Sequence, residues 1–375
     1  MARIMKELYP KLSTEIAALR DKISQLEFQN KTLMKQLAEA TRERLEVQRI
    51  RQELYELKDA PVSPPSWIVN LQKKHSGKAE VPITIWSDWH YGEKIDAAQT
   101  GGLNEFNRTI AKRRIRLLVE RTLDLAFNHV VDPHYPGIVV CLAGDLISGT
   151  IHEELRETND GPVQVSILEV EEMLIWALTE LGKHFTKVFV PCVVGNHGRT
   201  TQKPRAKNRV YESFEWNIFH HLRAYFANSP SINIVVPDET DYHFRIFGHS
   251  FLLTHGDSIG VKGGDGIIGA VGPISRGSVK LHAALQKEEK AFDTLIIGHY
   301  HSYQPRGDLI PVIVNGTLKG YDEFARIILR APYSPPCQAL WFMHPTRGVT
   351  SQWRITLGET KASVPSRPNA GEAVF

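Results

Sequence analysis

Two patterns of apolar spacing divide the chain. From Leu12 the apolar positions advance in steps of four and three, through Ile16, Leu19, Ile23, Leu26, Asn30, Leu33 and Leu37 to Ala40. This is a heptad repeat. Ile16, Ile23, Asn30 and Leu37 share one seam position; Leu12, Leu19, Leu26, Leu33 and Ala40 share the other. β-Branched residues at the first position and leucine at the second favour a parallel two-stranded coiled coil, and one seam asparagine fixes register and oligomer state. The seam lapses at Arg44 and resumes in shifted phase at Val47, Ile50, Leu54 and Leu57, which reads as a stutter. Residues 4–57 contain no glycine and only Pro10, so a coiled-coil oligomerisation helix is expected over 1–58. The proline-rich stretch 59–80 is expected to be a linker. Within it, the run 67–71 is expected to dock on a neighbour.

Beyond Val81 the spacing changes to short apolar runs at 83–87, 138–143, 188–194, 251–254 and 294–297. Longer segments of helical character lie near 104–128, 163–181 and 208–226. Strands alternating with helices predict a layered α/β domain over 81–358, a β-sandwich flanked by helices. The runs 338–343 and 349–355 are expected to complete its second sheet, with a flexible tail over 359–375.

The chemistry-bearing residues follow the strand-like runs: Asp88 and His90 after the first, Gly144-Asp145 after the second, Gly195-Asn196-His197 after the third. His255 and then Gly298-His299-Tyr300-His301 follow the fourth and fifth. Strand carboxyl ends are where open α/β sheets bind ligands. Singly, each block is weak, since Gly-Asp is a common turn. Taken together and in this order, they resemble the five signature blocks of the calcineurin-like metallophosphoesterases over about residues 81–320, and particularly their nuclease branch. The pattern GDLISGTIHEEL with GNHGR is similar to bacteriophage-encoded members described as DNA-repair exonucleases.

The resemblance implies one divalent ion held by Asp88, His90, Asp145 and His301, and a second held by Asp145, Asn196, His255 and His299. Asp145 would bridge them at roughly 3.5–4 Å. Oxygen and imidazole donors without thiolate suit Mn²⁺ first, with Fe, Zn²⁺ or Mg²⁺ as alternatives. Hydroxide generated between the ions would attack a phosphate ester in line. His197 would stabilise the transition state or protonate the leaving oxygen. The chain departs from the family where an acidic residue usually follows this histidine: Gly198 and Arg199 stand there. His152 and Glu153 are candidate replacements. Leu146-Ile147-Ser148-Gly149 in place of the aspartate and arginine of the phosphoprotein phosphatases disfavours that activity.

The loop after His197 carries Arg199, Lys203, Arg205, Lys207 and Arg209 and no acid up to that point, which suits a polyanion at the rim of the site. A second basic cluster, Arg108, Lys112, Arg113, Arg114 and Arg116, lies on the first long helix of the domain. Trp89 or Tyr91 is expected to stack on a base, and 315–321 to close one side of the cleft. DNA is therefore the expected partner. A small- or cyclic-nucleotide phosphodiesterase or phosphatase, and a coiled-coil nucleic-acid-binding scaffold, are the alternatives.

Composition adds limits. At 375 residues, with 42% hydrophobic and 23% charged residues, the chain can bury a core. The net charge of +3 is too small by itself to imply nucleic-acid binding. Three cysteines, Cys141, Cys192 and Cys337, are too few for a disulfide framework. With no signal-like apolar core at the start and no long apolar run, a cytoplasmic protein without a membrane span is expected.

Overall fold

The computed structural model of the protein describes residues 63–69, 80–131, 133–259, 271–307 and 310–358, with a few positions between Lys22 and Thr32. Residues 1–60 and 61–375 are separate units. In the first, the described positions, Leu26 and Asn30 among them, are helical and exposed. The rest of the expected coiled coil, residues 70–79 of the linker and the tail lie outside the described residues.

The second unit holds two sheets. In the first, β1 (Val81–Trp86), β2 (Ile138–Leu142), β3 (Val188–Pro191) and β4 (Ile232–Val235) run parallel. In the second, β5 (Asp241–Ile246) pairs antiparallel with β6 (His249–Thr254), which is parallel to β7 (Thr294–Ile297). Beyond β7 lie β9 (Val312–Val314) and the edge strand β8 (Gln304–Arg306). The final hairpin, β10 (Cys337–His344) and β11 (Gly348–Thr356), pairs antiparallel with β1. This corrects the expectation that these runs complete the second sheet. The register Val81↔Met343 to Thr84↔Leu340 adds them to the first.

Period-two alternation explains the layering. In β2, Ile138, Val140 and Leu142 face the helices α2 (Arg108–Phe127), α4 (Val163–His184) and α5 (Phe214–Tyr225). The intervening Val139 and Cys141 face Phe244, Phe251, Leu253 and Ile296 of the other sheet. The far side of the second sheet packs Leu252, Leu295 and Ile297 against Ile274 of α6 (Val271–Gln286). Strands buried on both faces must be apolar throughout, hence the continuous runs in the sequence. Two smaller α-helices, α1 (Ser66–Val69) and α3 (Glu153–Thr158), and a π-helical turn at Phe324–Ile328 lie in the same unit. Ile68 of α1 is fully buried between the sheets, and its carbonyl accepts from Phe247 N–H at 2.9 Å. Part of the expected linker thus belongs to the core. No helix among the described residues is long and apolar enough to cross a membrane.

The parallel pairing has one consequence for chemistry. The carboxyl ends of β1, β2 and β3 lie at one edge of their sheet, and those of β6 and β7 at one edge of theirs. The shared core brings the two edges together.

Candidate metal centre

Five residues at these strand ends adopt a left-handed backbone: Asp88 (φ 53°), His90 (46°), Asp145 (54°), His299 (66°) and His301 (53°). Such conformations cost roughly 1–3 kcal/mol each outside glycine, and they persist only where surroundings over-determine them. Here the surroundings do. Asp88 N–H donates to Gly144 O at 3.0 Å, and His90 N–H to Asp145 O at 3.0 Å. The Asp88 carbonyl accepts from Leu318 N–H (3.1 Å) and Thr317 Oγ1 (2.7 Å). His299 N–H donates to Asp88 Oδ1 at 2.9 Å, and His197 N–H to Asp145 Oδ1 at 2.7 Å. The left-handed turn at alternate residues lets Asp88 and His90, two apart, aim at one point. The same holds for His299 and His301. Gly144 and Gly195 allow the second and third loops to touch: a Cβ on Gly144 would strike the Gly195 backbone, and one on Gly195 would strike the Asp145 carboxylate.

Three donor groups result, each with its ligand atoms within 4.8 Å of one another: Asp88, His90 and His301; His90, Asp145 and His197; Asp145, His255 and His299. The groups overlap at His90 and Asp145, so the donors form one continuous cluster. Asn196 joins it, with Oδ1 3.1 Å from His255 Nε2. The donor chemistry fits divalent cations. His255 Nδ1 lies 2.7 Å from Ala143 O and must donate there, so in the neutral ring Nε2 carries a lone pair. That lone pair faces two further acceptors, Asn196 Oδ1 and Asp145 Oδ2, the latter at 3.1 Å. Nε2 of His90 and Nε2 of His301 face each other at 3.0 Å. Lone pairs converging in a buried site need either shared protons or a cation between them.

The electrostatics agree. Burial lowers His90 well below the ordinary imidazole value, reinforced by Lys319. Burial likewise takes His197 and His299 to about 4. These rings are neutral at pH 7, the state in which imidazole binds metal. His255 differs. Burial opposes its charge, yet the Asp145 carboxylate outweighs burial and holds it up at about 10. Asp145 is correspondingly depressed: burial raises it, but His255 more than offsets this. A cation between these two would replace the proton.

Behind His90 lies a buried charge cluster. Glu93 Oε2 is 3.5 Å from His90 Nδ1. Lys319 Nζ donates to Glu93 at 2.8 and 3.0 Å and pairs with Asp322 Oδ2 at 2.6 Å. At 3.5 Å the Glu93 carboxylate faces the far nitrogen of the His90 ring without hydrogen-bonding to it. Burial opposes the Lys319 charge, but the two carboxylates prevail and its ammonium is held above the ordinary lysine value.

His197 is oriented by a group that sequence reasoning missed. Its Nδ1 lies 2.9 Å from the carbonyl of Ser148, a backbone acceptor in the loop after Asp145. His152 is exposed and its ring lies 5.6 Å from that of His197, while Glu153 starts α3. Glu215 was also missed. It is fully buried, accepts from Leu146 N–H and Gly195 N–H at 2.6 Å each, and is pushed up by burial and by Asp145. No signal in the local sequence marks either one.

Two expected substrate contacts are corrected. Trp89 and Tyr91 are fully buried in the core between the first sheet and its helices, and Tyr91 OH donates to Glu169 at 3.0 Å. Neither ring offers a face to a base. The Arg199 guanidinium braces its own loop, donating to the carbonyls of Thr201 (2.9 Å), Asn196 (3.0 Å) and Gln202 (3.0 Å), and keeps two of its five N–H groups for the groove it lines. Arg205 is exposed and pairs with Glu212 at 3.2 Å; Lys203 is exposed. Of the second basic cluster, Arg114 is buried and donates to the carbonyls of Leu318 and Lys319 at 2.8 and 2.7 Å, which ties 315–321 to α2. A shallow, open groove lies beside Asn196, lined by Arg199, Arg205, Arg209, Glu212 and Asp257.

No family model matches the chain, and no curated protein matches it. Among solved structures it is similar to a predicted phosphoesterase from Streptococcus pneumoniae TIGR4, at 12% identity and a TM-score of 0.28, covering 74% of this chain and 98% of that one. It is also similar to a proposed 5'-nucleotidase from Staphylococcus aureus solved with alpha-ketoglutarate. There the identity is 12% and the TM-score 0.34, covering 74% of this chain and 54% of that one.

Proposed function

We propose that this protein is a dinuclear-metal phosphodiesterase of the calcineurin-like type, acting on DNA. The observation that carries the reading is the overlap of three donor groups at Asp145 and His90, with His197 a member of one of them. Asp88, His90 and His301 would hold one cation, and Asn196, His255 and His299 the other, with Asp145 in donor groups with members of both and able to serve each. Such a pair supplies a water of lowered pKa and neutralises phosphoryl charge.

The chain's own groups do the rest. Asp145 uses Oδ1 to accept from His197 N–H, which leaves Oδ2 for the centre. The Ser148 carbonyl holds His197 by Nδ1 and leaves Nε2 as the nitrogen free to exchange a proton. In the metal-free protein burial keeps this ring neutral, at about 4. A bound phosphodiester anion offsets that penalty, so His197 takes up a proton with substrate and delivers it to the leaving oxygen. Exposed Lys203 and Lys207, on the loop leaving the site, suit a strand that continues past the scissile phosphate.

A second reading, a phosphodiesterase for small or cyclic nucleotides, is supported by the shallow groove beside Asn196, which Arg199, Arg205 and Arg209 border. Hydrolysis with Mn²⁺ of bis-p-nitrophenyl phosphate, single- and double-stranded DNA and a cyclic-nucleotide panel distinguishes the two, with Asp145→Ala as control. DNA degraded only by the wild type supports the first reading. Turnover of cyclic nucleotides alone moves the function to the second. No turnover by protein that has bound metal refutes both and leaves a scaffold. Dimerisation through the heptads is proposed with it, supported by the repeat and by the exposure of Leu26 and Asn30 on a helix. Sedimentation of the full chain tests it, and a monomer refutes it.

A further inference from the structure

Glu215 occupies the second position of α5, yet its carboxylate points back beneath the centre. One oxygen accepts from Leu146 N–H, the residue after Asp145; the other accepts from Gly195 N–H, the residue before Asn196. A single buried side chain therefore spans the loop that bears Asp145 and the loop that bears Asn196 and His197. Its helix is anchored to the same loop. Ser213 caps α5 by accepting from Glu215 N–H at 3.2 Å, and Phe214 N–H donates to Gly198 O at 2.8 Å. Position 198 explains why a glycine stands there. Its backbone is not left-handed, so no special φ requires glycine. The reason is space: a Cβ on Gly198 would lie 2.6 Å from Glu215 Cγ and 2.9 Å from its Cδ. The Glu215 side chain fills the volume that a side chain at 198 would take.

We propose that Glu215 is a positioning residue that clamps the Asp145 and Asn196 loops at the separation the metal centre requires, standing in space where a side chain of residue 198 would otherwise lie. The inference rests on the proposed metal site. Two short bonds from one carboxylate fix two backbone points, and a ligand set displaced by a fraction of an ångström loses affinity. Removing the clamp frees both loops, while a carboxylate grafted at 198 into the vacated volume should reach the same two N–H groups.

The experiment uses the full chain and Mn²⁺, with calorimetric binding isotherms and the thermal midpoint of EDTA-treated protein as separate readouts. Wild type, Glu215→Gln, Glu215→Ala and the double variant Glu215→Ala/Gly198→Glu are compared. The expected result is a loss of about 10–100-fold in Mn²⁺ affinity for the alanine variant. Glutamine, which keeps the shape but can accept only one of the two bonds, should lose less, and the double variant should recover most of the affinity. Should the alanine variant fail to fold, the glutamine variant carries the test. Unchanged Mn²⁺ affinity in the glutamine variant and in every folded alanine variant, whatever the thermal midpoint does, overturns the clamp and leaves the metal centre intact. A wild type that binds no Mn²⁺ overturns both.

Discussion

Lys319 is the buried cation whose removal should be felt furthest. Its side chain is 6% exposed, and those of Glu93 and Asp322, which it joins, are each 8% exposed. Lys319→Met keeps the length of the chain and removes the charge, leaving two carboxylates in a site nearly closed to water. Breaking a buried pair by deleting one partner costs about 3–5 kcal/mol, or roughly 10 °C in midpoint for a domain of this size. The deficit should depend on pH with a definite sign. Burial already raises Glu93 above the ordinary carboxyl value, and Lys319 holds it back. Without Lys319 the folded-state pKa climbs further above the unfolded value. The native state then favours the protonated acid, so the deficit is full at high pH and shrinks as pH falls toward the unfolded pKa. Urea unfolding of both proteins at pH 8 and pH 5 measures it, and Glu93→Gln added to Lys319→Met should restore part of the loss at pH 8. A deficit below about 1 kcal/mol, the scale of an exposed pair, or one equal at the two pH values, would refute the reasoning.

His197→Ala should lower kcat by about 10²–10⁴-fold, with Mn²⁺ affinity much less affected than by Asp145→Ala; an unchanged kcat removes the proton-transfer role. In EDTA-treated protein, burial depresses His197 from the ordinary 6.5 to about 4. The unfolded chain therefore binds its proton first, and stability contributed above pH 6.5 falls by about 3 kcal/mol as pH drops toward 4. Denaturant titrations of wild type and His197→Phe should differ in slope over that window, and equal slopes contradict the assignment. If DNA is the substrate, Lys203→Ala/Lys207→Ala should reduce the slope of log K against log salt by about 1–2, measured by fluorescence anisotropy in Ca²⁺; no change in slope places the strand elsewhere.

The sequence by itself marked the metal-competent residues that cluster and the loops that carry them. Asp88, His90, Asp145, Asn196, His255, His299 and His301 all follow apolar runs whose continuity marks strands buried on both faces. That pattern is local, so it is legible along the chain. Tertiary structure decided what surrounds the donors. Ser148 offers a carbonyl to His197, a group every residue has, and only proximity selects it. Glu215 lies 17 residues past Gly198 on a helix N-terminus, where acids are commonplace. Lys319 meets Glu93 across 226 residues. Trp89 stands between Asp88 and His90, Tyr91 follows them, and together they resemble a stacking platform, yet a left-handed turn sends Asp88 and His90 to the donor cluster and the aromatic rings to the core. The run from Arg199 looks like a polyanion grip, and only the fold shows that the Arg199 guanidinium also braces its own loop through three carbonyls. The last hairpin joined the first sheet through β1, a choice its own alternation does not encode, because period-two alternation is the same for either sheet. Local spacing records which face of a strand is apolar and which residues can bind a cation. Pairing partners, buried counter-charges and the acceptor of a given N–H depend on contacts between residues far apart in the chain, and only the packed fold supplies those.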